Sequence, residues 1–102
     1  MNLDHIAINV KIIDKSIDWY TEKFSCEIIY KDDTWGLIKL GNTKLAFVMA
    51  EQHKPHIGFT VNCDFIEKSF LKDAEFKFHR DGTSFCYIED IDNNVIEFIR
   101  KD

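Results

Sequence analysis

The sequence lacks the marks of several common classes of function. It has no cluster of Lys or Arg and a formal charge of −5 at pH 7, so the basic footprint of a nucleic-acid surface is missing and polyanionic partners are not expected. Neither a long apolar run nor a basic start at Met1-Asn2-Leu3-Asp4 marks a membrane span or a secretory signal. The expectation is a soluble, cytoplasmic protein with no membrane partner. Its three cysteines, Cys26, Cys63 and Cys86, form an odd set without a C-x-x-C pair, which reads as reduced thiols rather than a disulfide framework. A Gly-rich phosphate loop, a Ser/His/Asp or Cys/His nucleophile pattern, low-complexity segments and heptads are all missing. What is present is 45% hydrophobic and 14% aromatic content in 102 residues. That excludes disorder and suits one compact domain, since chains of this size bury roughly 60–70% of their unfolded surface.

The chain repeats itself. Asp4-His5-Ile6-Ala7-Ile8-Asn9-Val10 returns at an offset of 51 residues as Pro55-His56-Ile57-Gly58-Phe59-Thr60-Val61. The same offset lays Gly41-Asn42-Thr43-Lys44-Leu45-Ala46-Phe47 over Asp92-Asn93-Asn94-Val95-Ile96-Glu97-Phe98. Residues 1–102 therefore read as one domain of two tandem modules, about 1–51 and 52–102. Glu51-Gln52-His53-Lys54-Pro55 is too short for a flexible linker, and Pro55 fits the first position of a strand.

Period-two alternation predicts a strand from Leu3 to Val10, with Ile6, Ile8 and Val10 on a core face and His5, Ala7 and Asn9 opposite. Asp14 or Ser16 is expected to cap a helix running to about Phe24, whose stripe Ile13, Ile17, Tyr20 and Phe24 covers the sheet. Strands follow at Glu27–Tyr30, Trp35–Leu40 and Thr43–Met49. The second module predicts a strand His56–Val61 and a helix from about Asp64 to Ala74 bearing Phe65, Ile66 and Phe70. Strands Phe76–Phe78, Ser84–Glu89 and Val95–Arg100 complete it. Each module is β-α-β-β-β, an α+β arrangement in which the halves pack as one sheet system.

Small and polar neighbours beside His5 and His56 suggest a hollow rather than a packed core. A single strand histidine is commonly a hydrogen-bonded structural residue, but two at equivalent places suggest a shared centre. Glu97 lies in an apolar run, where a carboxylate needs a partner or a metal. Its twin is Ala46, so His5, His56 and Glu97 form the candidate metal set, with open positions that suit Fe(II), Mn(II) or catalytic Zn(II). The alternative pairs Glu97 with a Lys or Arg across the sheet. Tyr87, ten residues before Glu97, could reach a ligand bound at the metal, or could be core with its hydroxyl at the surface. Trp19 and Trp35 read as packing residues, and Glu51 and His53 as solvated loop residues.

Taken together, these segments resemble the vicinal oxygen chelate superfamily, the glyoxalase/bleomycin resistance/dioxygenase fold. The likeness covers the whole chain: the two His-bearing strands, the helix motif Ser16-Ile17-Asp18-Trp19-Tyr20-Thr21-Glu22-Lys23-Phe24, and the closing Tyr87 to Phe98 segment. The resemblance implies paired β-α-β-β-β modules in a cupped mixed sheet around a divalent metal (Fe, Mn, Zn or Ni), often in a homodimer. It also implies a small-molecule ligand chelated through adjacent oxygens, with Tyr87 as the catalytic residue. Ile91, Asn93 and Ser25 depart from the usual Pro, Gly and Gly; Asn93 tolerates the left-handed backbone such a turn needs. Ala46 departs with more consequence, because glyoxalase I and methylmalonyl-CoA epimerase take a fourth ligand from that position. The remaining His/His/Glu set looks more like that of extradiol dioxygenases and fosfomycin resistance thiol transferases, without the basic cluster a phosphonate needs. The competing expectation is a metal-free binding protein that sequesters an aromatic compound or antibiotic, as bleomycin resistance proteins do.

Overall fold

The computed structural model describes residues 1–101. Among the described residues, eight strands and two α-helices occur in the order β1 (Asn2–Asn9), α1 (Ile13–Lys23), β2 (Glu27–Lys31), β3 (Trp35–Leu40), β4 (Thr43–Val48), β5 (His56–Val61), α2 (Cys63–Glu67), β6 (Lys77–Phe78), β7 (Ser84–Glu89) and β8 (Val95–Arg100). The strands run in the order β2-β3-β4-β1 in one half and β5-β8-β7-β6 in the other. The chain clusters into two compact units, His5–His56 and Met1–Asp4 with Ile57–Asp102.

In the His5–His56 unit, β1 runs parallel to β4 with Ala7 opposite Ala46, and β3 runs antiparallel to β4. The two-residue turn between β3 and β4 places Gly41 at φ 59°. Ile13, Ile17, Ile38 and Phe47 form the buried core, with Ile8 and Val10 packed against it. The strand alternation at Ile8 and Val10 is as expected. The opposite face differs: Ala7 packs with Ala46 and Val48, so the small residues there close a second apolar layer instead of leaving a hollow.

Helix α1 begins at Ile13, with Ile12 as its cap and no side-chain capping bond, although Asp14 or Ser16 was the expected cap. Burial of Ile13 and Ile17 fixes where the helix starts. Asp14 instead occupies the first turn, where a carboxylate favours the helix dipole, and pairs with Lys31 at 3.2 Å.

In the unit containing Ile57–Asp102, Val61, Leu71, Cys86 and Phe98 form the core, with Phe59, Phe65 and Ile66 packed on it. Strand β8 runs antiparallel to β7 with Tyr87 opposite Glu97. The single helix expected from about Asp64 to Ala74 is broken into α2 and a 3-10 turn over Phe70–Asp73. Ser69 explains the break. Its hydroxyl accepts from the Leu71 N–H at 3.1 Å and donates to the Ile66 carbonyl at 3.3 Å, competing with helical bonding. The break turns Leu71 into the core at 0% exposure and leaves Phe70 at 70%. The turn between β7 and β8 spans residues 90–94, with Asn93 at φ 66°. Asn93 therefore accepts the left-handed backbone expected of it.

Gly36 on β3 lies under α1. A Cβ there would stand 2.6 Å from Ile17 Cδ1 and 3.2 Å from Ile13 Cγ2. Ile17 is fully buried and cannot swing aside. Gly36→Ala is expected to destabilise by about 1–3 kcal/mol through overpacking, and Ile17→Val by about 0.5–1.5 kcal/mol. Because the valine removes the clashing methyl, denaturant titration should give the double variant a loss smaller than the sum of the two.

Three loop aspartates accept hydrogen bonds that hold their carboxyls below the usual range: Asp32 chiefly from Thr34 and Tyr30, Asp81 from Thr83, and Asp90 from Asn94. Depressed folded values stabilise the fold above the unfolded value and lose that contribution as pH falls through the folded one. In thermal melts, the gap between the protein and its Asp90→Ala variant should be constant near neutrality and narrow as pH falls below the ordinary carboxylate range.

Candidate functional site

In the His5–His56 unit, β1 carries His5 and the start of β5 carries His56. Their Nε2 atoms lie 3.1 Å apart with the ring planes at 89°. His56 Nδ1 is 2.9 Å from the Lys54 carbonyl oxygen. A carbonyl only accepts, so Nδ1 carries the proton and, in the neutral ring, Nε2 keeps its lone pair toward His5. A backbone partner of this kind fixes ring orientation and tautomer in metal-ligating histidines.

In the unit containing Ile57–Asp102, Glu97 projects from β8 and is 3% exposed. His79 Nε2 stands 3.1 Å from Glu97 Oε2. Tyr87, directly opposite on β7, donates its hydroxyl to the same carboxylate. Burial first, and then the Glu97 charge and this hydrogen bond, push the Tyr87 phenol up to about 12. Burial and then the Glu97 charge also raise the Cys86 thiol. Every buried side-chain nitrogen and oxygen among the described residues has a hydrogen-bond partner.

Of the expected ligands, His5 and His56 form a pair of imidazoles in one unit, and Glu97 is a buried carboxylate in the other. Two imidazoles and one carboxylate suit a divalent first-row ion. Ala46, the repeat partner of Glu97, packs with Ala7 and Val48. Glu97 pairs with His79.

Sequence reasoning missed His79. Its repeat equivalent is Ile28, so the duplication gives no signal. The available clue was the demand of a buried carboxylate for a donor. Trp19 and Trp35 are both partly exposed; Trp19 meets Tyr20 and Phe24 edge-on, and Trp35 stacks on Tyr30 at 4.5 Å. Glu51 and His53 are exposed, and the His53 carbonyl accepts from Asn9 Nδ2 at 2.9 Å. An open depression of about 460 Å³ beside Val10, Lys11, Ile12 and Trp19 holds none of the candidate ligands.

The fold is similar to that of the hypothetical protein BH1468 from Bacillus halodurans C-125, at TM-score 0.75 and 16% identity over 99% of this chain and 94% of that one. A glyoxalase/bleomycin resistance protein/dioxygenase superfamily member from Vibrio splendidus 12B01 matches at TM-score 0.70 and 12% identity, over 97% and 98%. A protein described as NAD-dependent benzaldehyde dehydrogenase from Legionella pneumophila matches at TM-score 0.67 and 17% identity, over 95% and 97%. Identities this low speak to the fold alone. No curated protein matches by sequence. No helix among the described residues is long and apolar enough to cross a membrane. The family "Glyoxalase/Bleomycin resistance protein/Dioxygenase superfamily" matches residues 2–98, and the chain belongs to it.

Proposed function

We propose that the protein is a small metal-dependent enzyme of its superfamily, acting in the cytoplasm on a substrate held through two adjacent oxygens. His5, His56 and Glu97 are the residues that would hold a divalent ion of Fe, Mn, Zn or Ni. The observation that carries this reading is the pair of imidazoles whose Nε2 atoms lie 3.1 Å apart, with His56 Nδ1 held by a backbone carbonyl; the family resemblance supplies Glu97 as the third ligand. When bound, the ion supplies Lewis-acid polarisation and an anchor for the paired oxygens. One carboxylate against a 2+ ion leaves net positive charge, which favours an anionic bidentate ligand such as a catecholate or enediolate.

Tyr87 is the proposed catalytic residue. With its phenol pushed up to about 12 it keeps its proton across the physiological range and is not a base; its single O–H, given to Glu97 in the free protein, would turn to a substrate oxygen when the carboxylate serves the metal. Ala46 stands where a second carboxylate could have served as a base, and its methyl holds no proton. The reading therefore favours a reaction in which the substrate arrives ionised or the leaving proton goes to solvent.

The two units are proposed to form one domain descended from a duplication, and the protein to be a homodimer. Apolar side chains left half-exposed on β2 and α1, including Ile28, Ile29 and Trp19, support the dimer. Light scattering should return twice the chain mass; a monomeric mass contradicts the dimer.

Metal analysis of protein purified without chelator should find a stoichiometric divalent metal that Glu97→Ala and His56→Ala each remove. Metal content unchanged by both substitutions overturns the reading. Tight binding of an aromatic compound without metal would favour the sequestering alternative instead.

A further inference from the structure

We propose that His79 is the positioning residue for the Glu97 carboxylate, holding it in the orientation in which it can serve a metal; this rests on the metal reading above. Four observations carry it, and they start from the loop. His79 follows β6 and opens a tight turn in which its N–H donates to the Thr83 carbonyl at 2.8 Å. The Gly82 N–H returns to the His79 carbonyl at 3.1 Å, with Gly82 at φ 89°. A side chain is rarely tolerated at that backbone angle, so glycine makes the turn possible. Asp81 braces it by accepting from the Thr83 N–H and hydroxyl at 2.9 and 2.7 Å.

The turn fixes the backbone of His79, and Phe85 fixes its ring. The imidazole lies on the Phe85 ring at 3.8 Å with the planes 17° apart. Held there, Nε2 reaches Glu97 Oε2 at 3.1 Å. An ionised carboxylate accepts only, so the His79 nitrogen carries the hydrogen and donates. Tyr87 donates to the same carboxylate from β7. Two donors from neighbouring strands leave Glu97 little rotational freedom, and the ordering that metal binding would otherwise require is done in advance. A Lys or Arg in place of His79 would also orient the carboxylate, but its fixed positive charge would repel an incoming divalent ion. An imidazole therefore fits this position better than the residues commonly paired with buried acids.

Mn(II) titration followed by the EPR signal of the free ion tests the assignment. In the full chain, His79→Ala should weaken Mn(II) binding about 10–100-fold. His79→Gln, whose amide N–H can reach the same oxygen, should recover most of that loss. In a Glu97→Ala background, His79→Ala should change nothing further. If His79→Ala proves poorly folded by circular dichroism, Phe85→Leu, which loosens the ring but keeps the donor, should weaken Mn(II) binding in the same direction. Wild-type binding with His79→Ala equally tight, or His79→Gln as weak as His79→Ala, overturns the positioning role and leaves the metal reading standing. A wild-type protein that binds no Mn(II) overturns both.

Discussion

Removing a carboxylate from water costs several kcal/mol unless donors or a cation replace the lost hydration. Glu97 meets that demand within a run of apolar residues on β8, and much of the second half of the chain is arranged around it. The antiparallel register of β7 and β8 sets Tyr87 opposite Glu97. The turn after β6 aims His79 at the same carboxylate, and Phe85 supports the imidazole from behind. Core packing through Phe98 anchors the strand one residue further on. The charge stays buried because three neighbouring strands contribute to holding it.

The sequence repeat accounts for the likeness of the two cores, and on the proposed reading its asymmetry accounts for the chemistry. Val10 and Val61, Ile8 and Phe59, and Phe47 and Phe98 are equivalent across the repeat and pack into equivalent cores. At Ala46 and Glu97 the copies part. One module packs a methyl against Ala7 in a closed apolar layer, whereas the other presents the acid. Each copy contributes one imidazole, and the Nε2 atoms of His5 and His56 face each other at 3.1 Å.

Most of the strands were legible in the sequence because period-two alternation and the repeat specify them independently; β3, β5, β7 and β8 begin and end where the pattern places them. Elements governed by local competition were less legible. Burial of Ile13 outweighed Asp14 and Ser16 in setting the start of α1, and Ser69 broke the second helix at a point that apolar spacing cannot mark. The apolar layer at Ala7 was hidden because small residues read equally as cavity wall and as close packing. The candidate ligands were legible through the repeat and the oddness of Glu97 in its strand. His79 was not, since its reach to Glu97 depends on a turn conformation and on Phe85 stacking.

The most direct test of the central claim is anomalous diffraction from crystals grown with Mn(II). The account predicts a single strong peak about 2.0–2.2 Å from His5 Nε2, His56 Nε2 and a Glu97 carboxylate oxygen. Ions found only at surface carboxylates, with those three side chains unliganded, would contradict it.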